Sequence, residues 1–209
     1  FIFVSTDKAV NSCNIMGCTK RISEIYLQYL WNNNNNKTEF IITRFGNVIG
    51  SSGSVLPKFI DYINKKNNIL ITHKDITRYF MTIPEASKLV ILSSCIAKGG
   101  NLMLFDMGEP IKIVDIAKNL IKQLDIQNIN IEFVGLRPGE KMYEELQTSN
   151  EELIPTKYDN IILLKNYYIN YETFILKYFE LVNLKYCDYF NINIRSILKK
   201  INPDYIYNE

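Results

Sequence analysis

Two short apolar runs, each emptying into a polar loop, constrain this chain most. Phe1-Ile2-Phe3-Val4 leads straight into Ser5-Thr6-Asp7-Lys8, and Phe40-Ile41-Ile42-Thr43-Arg44 leads into the Gly/Ser-rich stretch 45–54. Both runs are short, apolar and aromatic or β-branched, which is the pattern of a buried strand. Between them, residues 15–31 place Ile15, Ile22, Ile25, Tyr26, Tyr29 and Leu30 at helical spacing, and the Asn run 32–36 ends the helix. Strand, helix and strand in that order predict an α/β fold. In open α/β sheets ligands bind beyond the carboxyl ends of the strands, where both polar loops fall.

The rest of the chain continues the alternation. Helices are predicted over 56–63, over 84–97 (opened by Pro84 and ended by Gly99-Gly100) and over 113–124. Strands are predicted over 69–71, 102–105 and 129–134, with 106–110 as a turn. After about residue 150 the composition shifts to Tyr, Ile, Asn and Lys, and two helices are predicted, over about 171–184 and 189–200, with Pro203 as a stop. No internal repeat is visible.

Composition excludes several classes of function. Hydrophobic residues make up 47% and charged residues 22%, an ordinary globular balance, and a net charge of +2 gives no case for binding nucleic acid or a membrane surface. No apolar run reaches the roughly 18 residues of a membrane span, and no signal peptide is visible. Cys13, Cys18, Cys95 and Cys187 form no CxxC pair and read as free thiols of a reducing, cytoplasmic compartment, where Asn36-Lys37-Thr38 is a chance glycosylation match. The single histidine, His73, sits beside Lys74 and Asp75 as a turn residue. It leaves no basis for a His-based triad or a metal site.

Three segments carry candidate chemistry. Met16 and Lys20 are four apart and share a helix face, so the strand tip and the helix bring Thr6, Asp7, Lys8 and Lys20 to one place. The simpler alternative is a turn followed by a solvated lysine. In 45–54, glycine permits close backbone approach and Ser/Asn supply short donors, unless the stretch is only a flexible connector. Gly135-Leu136-Arg137-Pro138-Gly139-Glu140-Lys141 is either a rigid loop holding charge in place or a solvated turn.

The strings VSTDKAVNSCNIMGCTKR, TRFGNVIGSSGSVLPKF, DITRYFM and LRPGEKMYEEL resemble CapD-type polysaccharide biosynthesis proteins. These are the UDP-N-acetylglucosamine 4,6-dehydratases of the extended short-chain dehydrogenase/reductase superfamily. The resemblance is close over 1–148 and loose beyond. It implies the C-terminal part of an NAD(P)-binding Rossmann-type, doubly wound parallel sheet with a smaller α/β substrate-binding domain and ligand in the cleft. Residues 1–148 are then a partial catalytic core with interleaved nucleotide-sugar-binding segments, and 149–209 a C-terminal helical extension of the substrate domain. The chain opens inside a strand and holds no Gly-rich dinucleotide fingerprint, so a longer protein with that half upstream is expected.

The resemblance also implies a reaction. NAD, rather than NADP, takes hydride from C4 of a UDP-N-acetylhexosamine, water leaves across C5–C6, and hydride returns to C6 to give a UDP-4-keto-6-deoxy sugar. Lys8 abstracts the C5 proton and Asp7 protonates the leaving C6 oxygen. Lys20 bonds the nicotinamide ribose and Val48 lines the nicotinamide pocket. Arg44, Asn47, Ser54 and Arg78 hold the substrate, Arg137 meets its diphosphate and Glu140 the ribose hydroxyls. Met16 stands where most of the superfamily has the tyrosine that accepts the C4 hydroxyl proton, so Thr6, Asp7 or a water must relay it. The membrane-anchored, PglF/WbpM-like branch shares this methionine, with its membrane helices before the catalytic domain. The implied partners are therefore UDP-N-acetylglucosamine or a close UDP-sugar, a homo-oligomer, and a membrane only through an N-terminal region. Two alternatives remain: a UDP-sugar epimerase, or a non-catalytic sugar-nucleotide-binding remnant. The isolated chain is expected not to turn over.

Overall fold

A computed structural model describes residues 1–33, 37–166, 169–183 and 193–207. In chain order the elements are β1 (Ile2–Val4), a single 3-10 turn (Asp7–Ala9), α1 (Ile15–Asn33), β2 (Ile41–Arg44), β3 (Asn47–Ile49), α2 (Val55–Asn64), β4 (Ile69–Ile71), β5 (Thr77–Arg78) and β6 (Phe80–Thr82). Then follow α3 (Ile83–Ile96), β7 (Leu102–Phe105), β8 (Ile111–Lys112), α4 (Ile113–Gln123), β9 (Ile131–Phe133), β10 (Glu151–Pro155), β11 (Ile161–Asn166), α5 (Tyr171–Val182) and α6 (Ile194–Ile201). The chain divides into two units. The first is 1–45, 90–106 and 145–209, and the second is 46–89 and 107–144.

The first unit is built on a five-stranded sheet in the order β1-β2-β7-β11-β10. Strands β1, β2 and β7 are parallel, with Phe3 opposite Ile42 and Ile42 opposite Leu102. Every residue of β2 is buried, as its unbroken apolar run predicts. Ile42, Leu102 and Leu104 pack with Leu27 of α1 and Leu164 of β11. Cys18, Ile22 and Ile25, on another stripe of α1, pack with Phe174 of α5, Leu198 and Ile201 of α6, and Tyr205. Each such fully buried aliphatic side chain contributes about 1.5–3 kcal/mol.

The tail departs from expectation. Residues 149–209 do not begin as a helical extension of a substrate domain. Strands β10 and β11 pair antiparallel with each other, and β11 pairs antiparallel with β7, so this segment belongs to the sheet of the first unit. The apolar run Ile161-Ile162-Leu163-Leu164 carries the strand, with Ile161 and Leu164 buried. Helices α5 and α6 follow. The start of the second predicted tail helix, Cys187 and the end of the Asn run lie outside the described residues.

The second unit packs α2 and α4 on β4, with Phe59, Ile69, Ile71, Ile76, Phe80, Ile113, Val114 and Ala117 as its core. Its strand pairs are β3 with β6 and β4 with β9, both parallel, and β5 with β8, antiparallel. Strand β3 lies inside the stretch read as a loop, since Val48 and Ile49 are β-branched and pair with Met81 and Thr82. Helix α3 starts at a capping box. The Glu85 carboxylate accepts from Thr82 N and Oγ1, both at 2.7 Å, and Thr82 Oγ1 accepts from Glu85 N. Among the described residues no helix is long and apolar enough to cross a membrane.

Candidate functional site

In the first unit the chain leaves β1 by extending its pairing with β2. Ser5 N donates to Thr43 O at 2.7 Å and Asp7 N to Phe45 O at 3.1 Å. Thr6 then caps the 3-10 turn, its Oγ1 accepting from Lys8 N and donating to Asp7 Oδ1 at 2.9 Å. Lys8 Nζ donates to the same Oδ1 at 2.9 Å. Asp7 has no exposure, and its Oδ2 has no hydrogen-bond partner among the described residues. The turn thus holds an acid and a base in contact, with one carboxylate oxygen buried and free of hydrogen bonds among the described residues.

Helix α1 fixes this turn from the other side. Asn14 Oδ1 accepts from Gly17 N at 2.8 Å and opens the helix. Gly17 is the point of closest approach, because a Cβ there would lie 2.1 Å from Lys8 O. Only glycine fits without moving the backbone that carries Lys8. Gly17→Ala is therefore expected to destabilise the fold by about 1–3 kcal/mol, read by urea denaturation, and to weaken any activity that needs Lys8 in place. An unchanged urea midpoint would mean the turn yields freely. Further along α1, Lys20 Nζ donates to Val4 O at 3.0 Å and lies 4.6 Å above the Phe3 ring. So Thr6, Asp7, Lys8 and Lys20 do gather at the carboxyl end of β1, and Met16, half exposed, lies one turn before Lys20.

Arg44 does not fit the expected substrate role. It is fully buried and held by carboxylates on both sides. Its Nε and NH2 donate to Glu24 at 3.2 and 2.7 Å, and its NH1 and NH2 to Glu151 at 2.9 and 3.0 Å. Arg21 NH1 completes the cluster, 2.9 Å from Glu24 and 3.2 Å from Glu151. Burial alone would raise the Glu24 and Glu151 pKa values, but the arginine charges override it and hold both carboxyls below the usual range. The two carboxylates in turn raise the pKa of Arg44 against its burial. Ser5 Oγ donates to Glu24 Oε1 at 2.5 Å, tying the cluster to the residue before Thr6. Arg21, Glu24 and Glu151 were not anticipated. Their signal was charge at 21 and 24, among the apolar positions of an otherwise packed helix face.

The second unit brings together the other expected residues. Asn47, Arg78, Arg137 and Glu140 line one cavity of about 190 Å³, together with Lys58 and Thr72. Glu140 is oriented within it, Oε1 accepting from Thr72 Oγ1 at 3.1 Å and Oε2 from Arg137 N at 3.2 Å. Arg78 is largely buried. Its Nε lies 3.4 Å from Glu144 and its NH2 3.6 Å from Glu140, while its guanidinium also donates to the carbonyls of Thr77, Lys141 and Met142. Ser54, at the start of α2, has a buried Oγ with no hydrogen-bond partner among the described residues. Val48 lies in β3 and is not among the cavity residues. Lys58 was missed by the sequence reading. It sits one helical turn beyond Ser54, which places both on one side of α2.

Residues 1–166 match a family model described as polysaccharide biosynthesis protein. The capsular polysaccharide biosynthesis protein CapD of Staphylococcus aureus is 54% identical over 153 residues, covering 72% of this chain and 25% of CapD. A UDP-glucose 4-epimerase of Rickettsia bellii is 34% identical over 151 residues, covering 72% of this chain and 44% of the epimerase. Among solved structures, Pen from Bacillus thuringiensis superposes with a TM-score of 0.71 at 34% identity, covering 79% of this chain and 52% of Pen. Nucleotide-sugar 4-epimerases and dTDP-glucose 4,6-dehydratases, several with NAD, share the fold at 13 to 22% identity and TM-scores of 0.56 to 0.62. The chain thus spans about a quarter of CapD and about half of the epimerase and of Pen.

Proposed function

The chain belongs to the polysaccharide biosynthesis protein family, among the nucleotide-sugar dehydratases and epimerases of the extended short-chain dehydrogenase/reductases, and we propose that it is the C-terminal portion of an NAD-dependent UDP-N-acetylhexosamine 4,6-dehydratase. The observation that carries this reading is the contact at 2.9 Å between the buried Asp7 and the partly exposed Lys8, with Asp7 Oδ2 unpartnered among the described residues. Elimination of water across C5–C6 needs a base and an acid together, whereas epimerisation at C4 needs no acid at C6.

The pair supplies both from one internal proton shift. Moving a proton from the Lys8 ammonium to the Asp7 carboxylate leaves a neutral amine and a carboxylic acid. Lys8 then takes the C5 proton and Asp7 gives its proton to the departing C6 oxygen, so the ion pair is restored and one water is released. Thr6 Oγ1, donating to Asp7 Oδ1, keeps the carboxyl oriented through the cycle. NAD, when bound, supplies the hydride chemistry, oxidation at C4 and reduction at C6, and Lys8 gives its proton back to C5 as C6 is reduced, to be re-charged by the proton released from the C4 hydroxyl. Lys20 suits its ribose, since an ammonium has three donors and Val4 O takes one. Val48 remains the proposed nicotinamide contact, and Met16 leaves the C4 hydroxyl proton to Thr6, Asp7 or water. In the second unit, Arg137 serves the diphosphate, Glu140 the ribose hydroxyls, and Asn47 and Ser54 the sugar or its phosphates, while Arg78, whose donors go to Glu144, Glu140 and three carbonyls, holds the loop that carries Glu140. A guanidinium fork matches phosphate oxygens geometrically, which suits Arg137 to this task.

A UDP-sugar epimerase is the second reading, favoured by the 34% identity to the Rickettsia bellii enzyme. Product analysis separates the two. The chain, extended by whatever coding sequence lies in frame upstream, is incubated with NAD and UDP-N-acetylglucosamine and followed by NMR. A 4-keto-6-deoxy sugar is expected. A C4-inverted sugar that keeps its 6-hydroxyl would replace the dehydratase reading with the epimerase one. The 209-residue chain alone is expected to bind UDP without turnover, and Arg137→Ala to weaken that binding roughly tenfold by calorimetry. Unchanged affinity would remove Arg137 from the diphosphate site.

A further inference from the structure

We propose that Asn202 and the segment it opens, 202–206, position Lys8 from behind, a role that rests on reading Asp7 and Lys8 as the acid and base. After α6 the chain turns back onto the loop 9–14, which joins the Asp7–Lys8 turn to α1. Asn202, 1% exposed, donates through Nδ2 to Ser12 Oγ at 3.4 Å and to Cys18 Sγ at 3.7 Å. One amide group thus uses both of its hydrogens, one on the loop and one on α1. Ile206 N donates to Ser12 O at 2.8 Å, so the side chain and the backbone of Ser12 are both held by this distant segment. Tyr205 is equally buried and packs in one cluster with Cys18 and Ile22 of α1.

The hold on Ser12 reaches Lys8 through a tight contact. A Cβ at Gly17 would lie 2.1 Å from Lys8 O and 3.2 Å from Ser12 Cβ, so the Lys8 backbone, Ser12 and the first turn of α1 meet at one point. Ala9, Val10 and Ser12 are buried, and Asn11 between them takes a φ of +38° and is tied through Nδ2 to Glu145. A loop packed in this way transmits a shift at Ser12 instead of absorbing it. The segment 202–206 is itself braced. Asn202 N donates to Leu198 O at 2.8 Å, Tyr205 N to Asn202 O at 3.0 Å, and Lys199 Nζ to Pro203 O at 2.6 Å. Lys8 sits on a three-residue turn, too short to fix its own direction, and proton transfer from carbon loses rate steeply with misplacement.

The test is Asn202→Leu, which fills the site without donors, in the polypeptide extended upstream. Amide hydrogen exchange and dehydration of UDP-N-acetylglucosamine are both followed, well below the variant's thermal midpoint. Exchange at Ala9 N and Val10 N, which donate to Thr6 O and Asp7 O, is expected to quicken about tenfold. The kcat and the uptake of deuterium at C5 are expected to fall together by about tenfold, with KM held within about twofold, since Arg137 and Glu140 belong to the second unit. A merely structural residue would lower the midpoint and leave kcat of the folded enzyme unchanged. Ile206→Pro removes the N–H that reaches Ser12 O, from an exposed residue, and is expected to act in the same direction by about threefold. It keeps the test open if the leucine variant does not fold. Unchanged exchange, unchanged kcat, or a rise in KM at constant kcat overturns the proposal. A C4-inverted sugar from the unsubstituted polypeptide would instead remove the dehydratase reading, and exchange at Ala9 and Val10 then decides alone whether 202–206 holds the turn.

Discussion

Arg44→Met is expected to destabilise the first unit by about 3–5 kcal/mol, the usual cost of removing one partner from a buried ion pair. Methionine fills much of the arginine volume, so the loss reports the charge rather than a cavity. It leaves the Glu24 and Glu151 carboxylates, both buried, sharing Arg21 alone. By urea or thermal denaturation the midpoint should fall by roughly 10 °C or more at neutral pH. The pH dependence gives a second check. Glu24 and Glu151 have folded-state pKa values below their unfolded ones, so the unfolded chain binds more protons in acid. Their contribution is present above the ordinary carboxylate range of about 4.3 and is lost as pH falls through the lower folded-state values. The gap between the natural chain and Arg44→Met should therefore hold down to about pH 4.3 and narrow below it. A gap independent of pH would mean that packing, not charge, makes Arg44 necessary. A difference under about 0.5 kcal/mol throughout would show the cluster to be energetically neutral.

Arg44 also shows where sequence reading stops. A basic residue at the end of a buried strand, before a Gly/Ser loop, has the same local appearance whether it meets a ligand or a carboxylate from another element. Glu24 lies 20 residues away and Glu151 lies 107 away, so their meeting is a tertiary fact with no local trace. The strands around it were legible because burial on both faces writes an unbroken apolar run. The Asp7–Lys8 contact was legible for a related reason, since adjacent residues on a one-turn helix have little freedom to part. Strands β10 and β11 were not legible as sheet members. Their segment follows a composition change, and Pro155 ends β10 as a strand on the edge of the sheet tolerates. The second unit's cavity needed both kinds of reading. Arg137 and Glu140 came from the loop's resemblance to a family motif, while Lys58 joined them only through the packing of α2 on β4.

Asp7→Asn, placed in the extended polypeptide, is expected to lower the dehydration rate by 10²–10⁴, the usual share of one general acid or base. Asparagine keeps the shape and can still accept from Thr6 and Lys8 through its carbonyl oxygen, but its amide has no acidic proton for the C6 oxygen. Folding should change little, because Oδ2, the oxygen most readily replaced by an amide nitrogen, has no partner among the described residues. Lys8→Met should cost a comparable factor, and the double variant hardly more than either single one, since residues that act as a unit are not additive. The two single variants differ at the substrate. Lys8 is the group that exchanges the C5 proton, so in deuterium oxide Asp7→Asn should still wash deuterium into C5, more slowly because Lys8 must give its proton to solvent instead of to Asp7, while failing to release water, and Lys8→Met should do neither. Deuterium entering C5 equally fast in both variants would place the base elsewhere and leave the Asp7–Lys8 contact as a structural ion pair. Loss of water at an undiminished rate in Asp7→Asn would do the same for the acid.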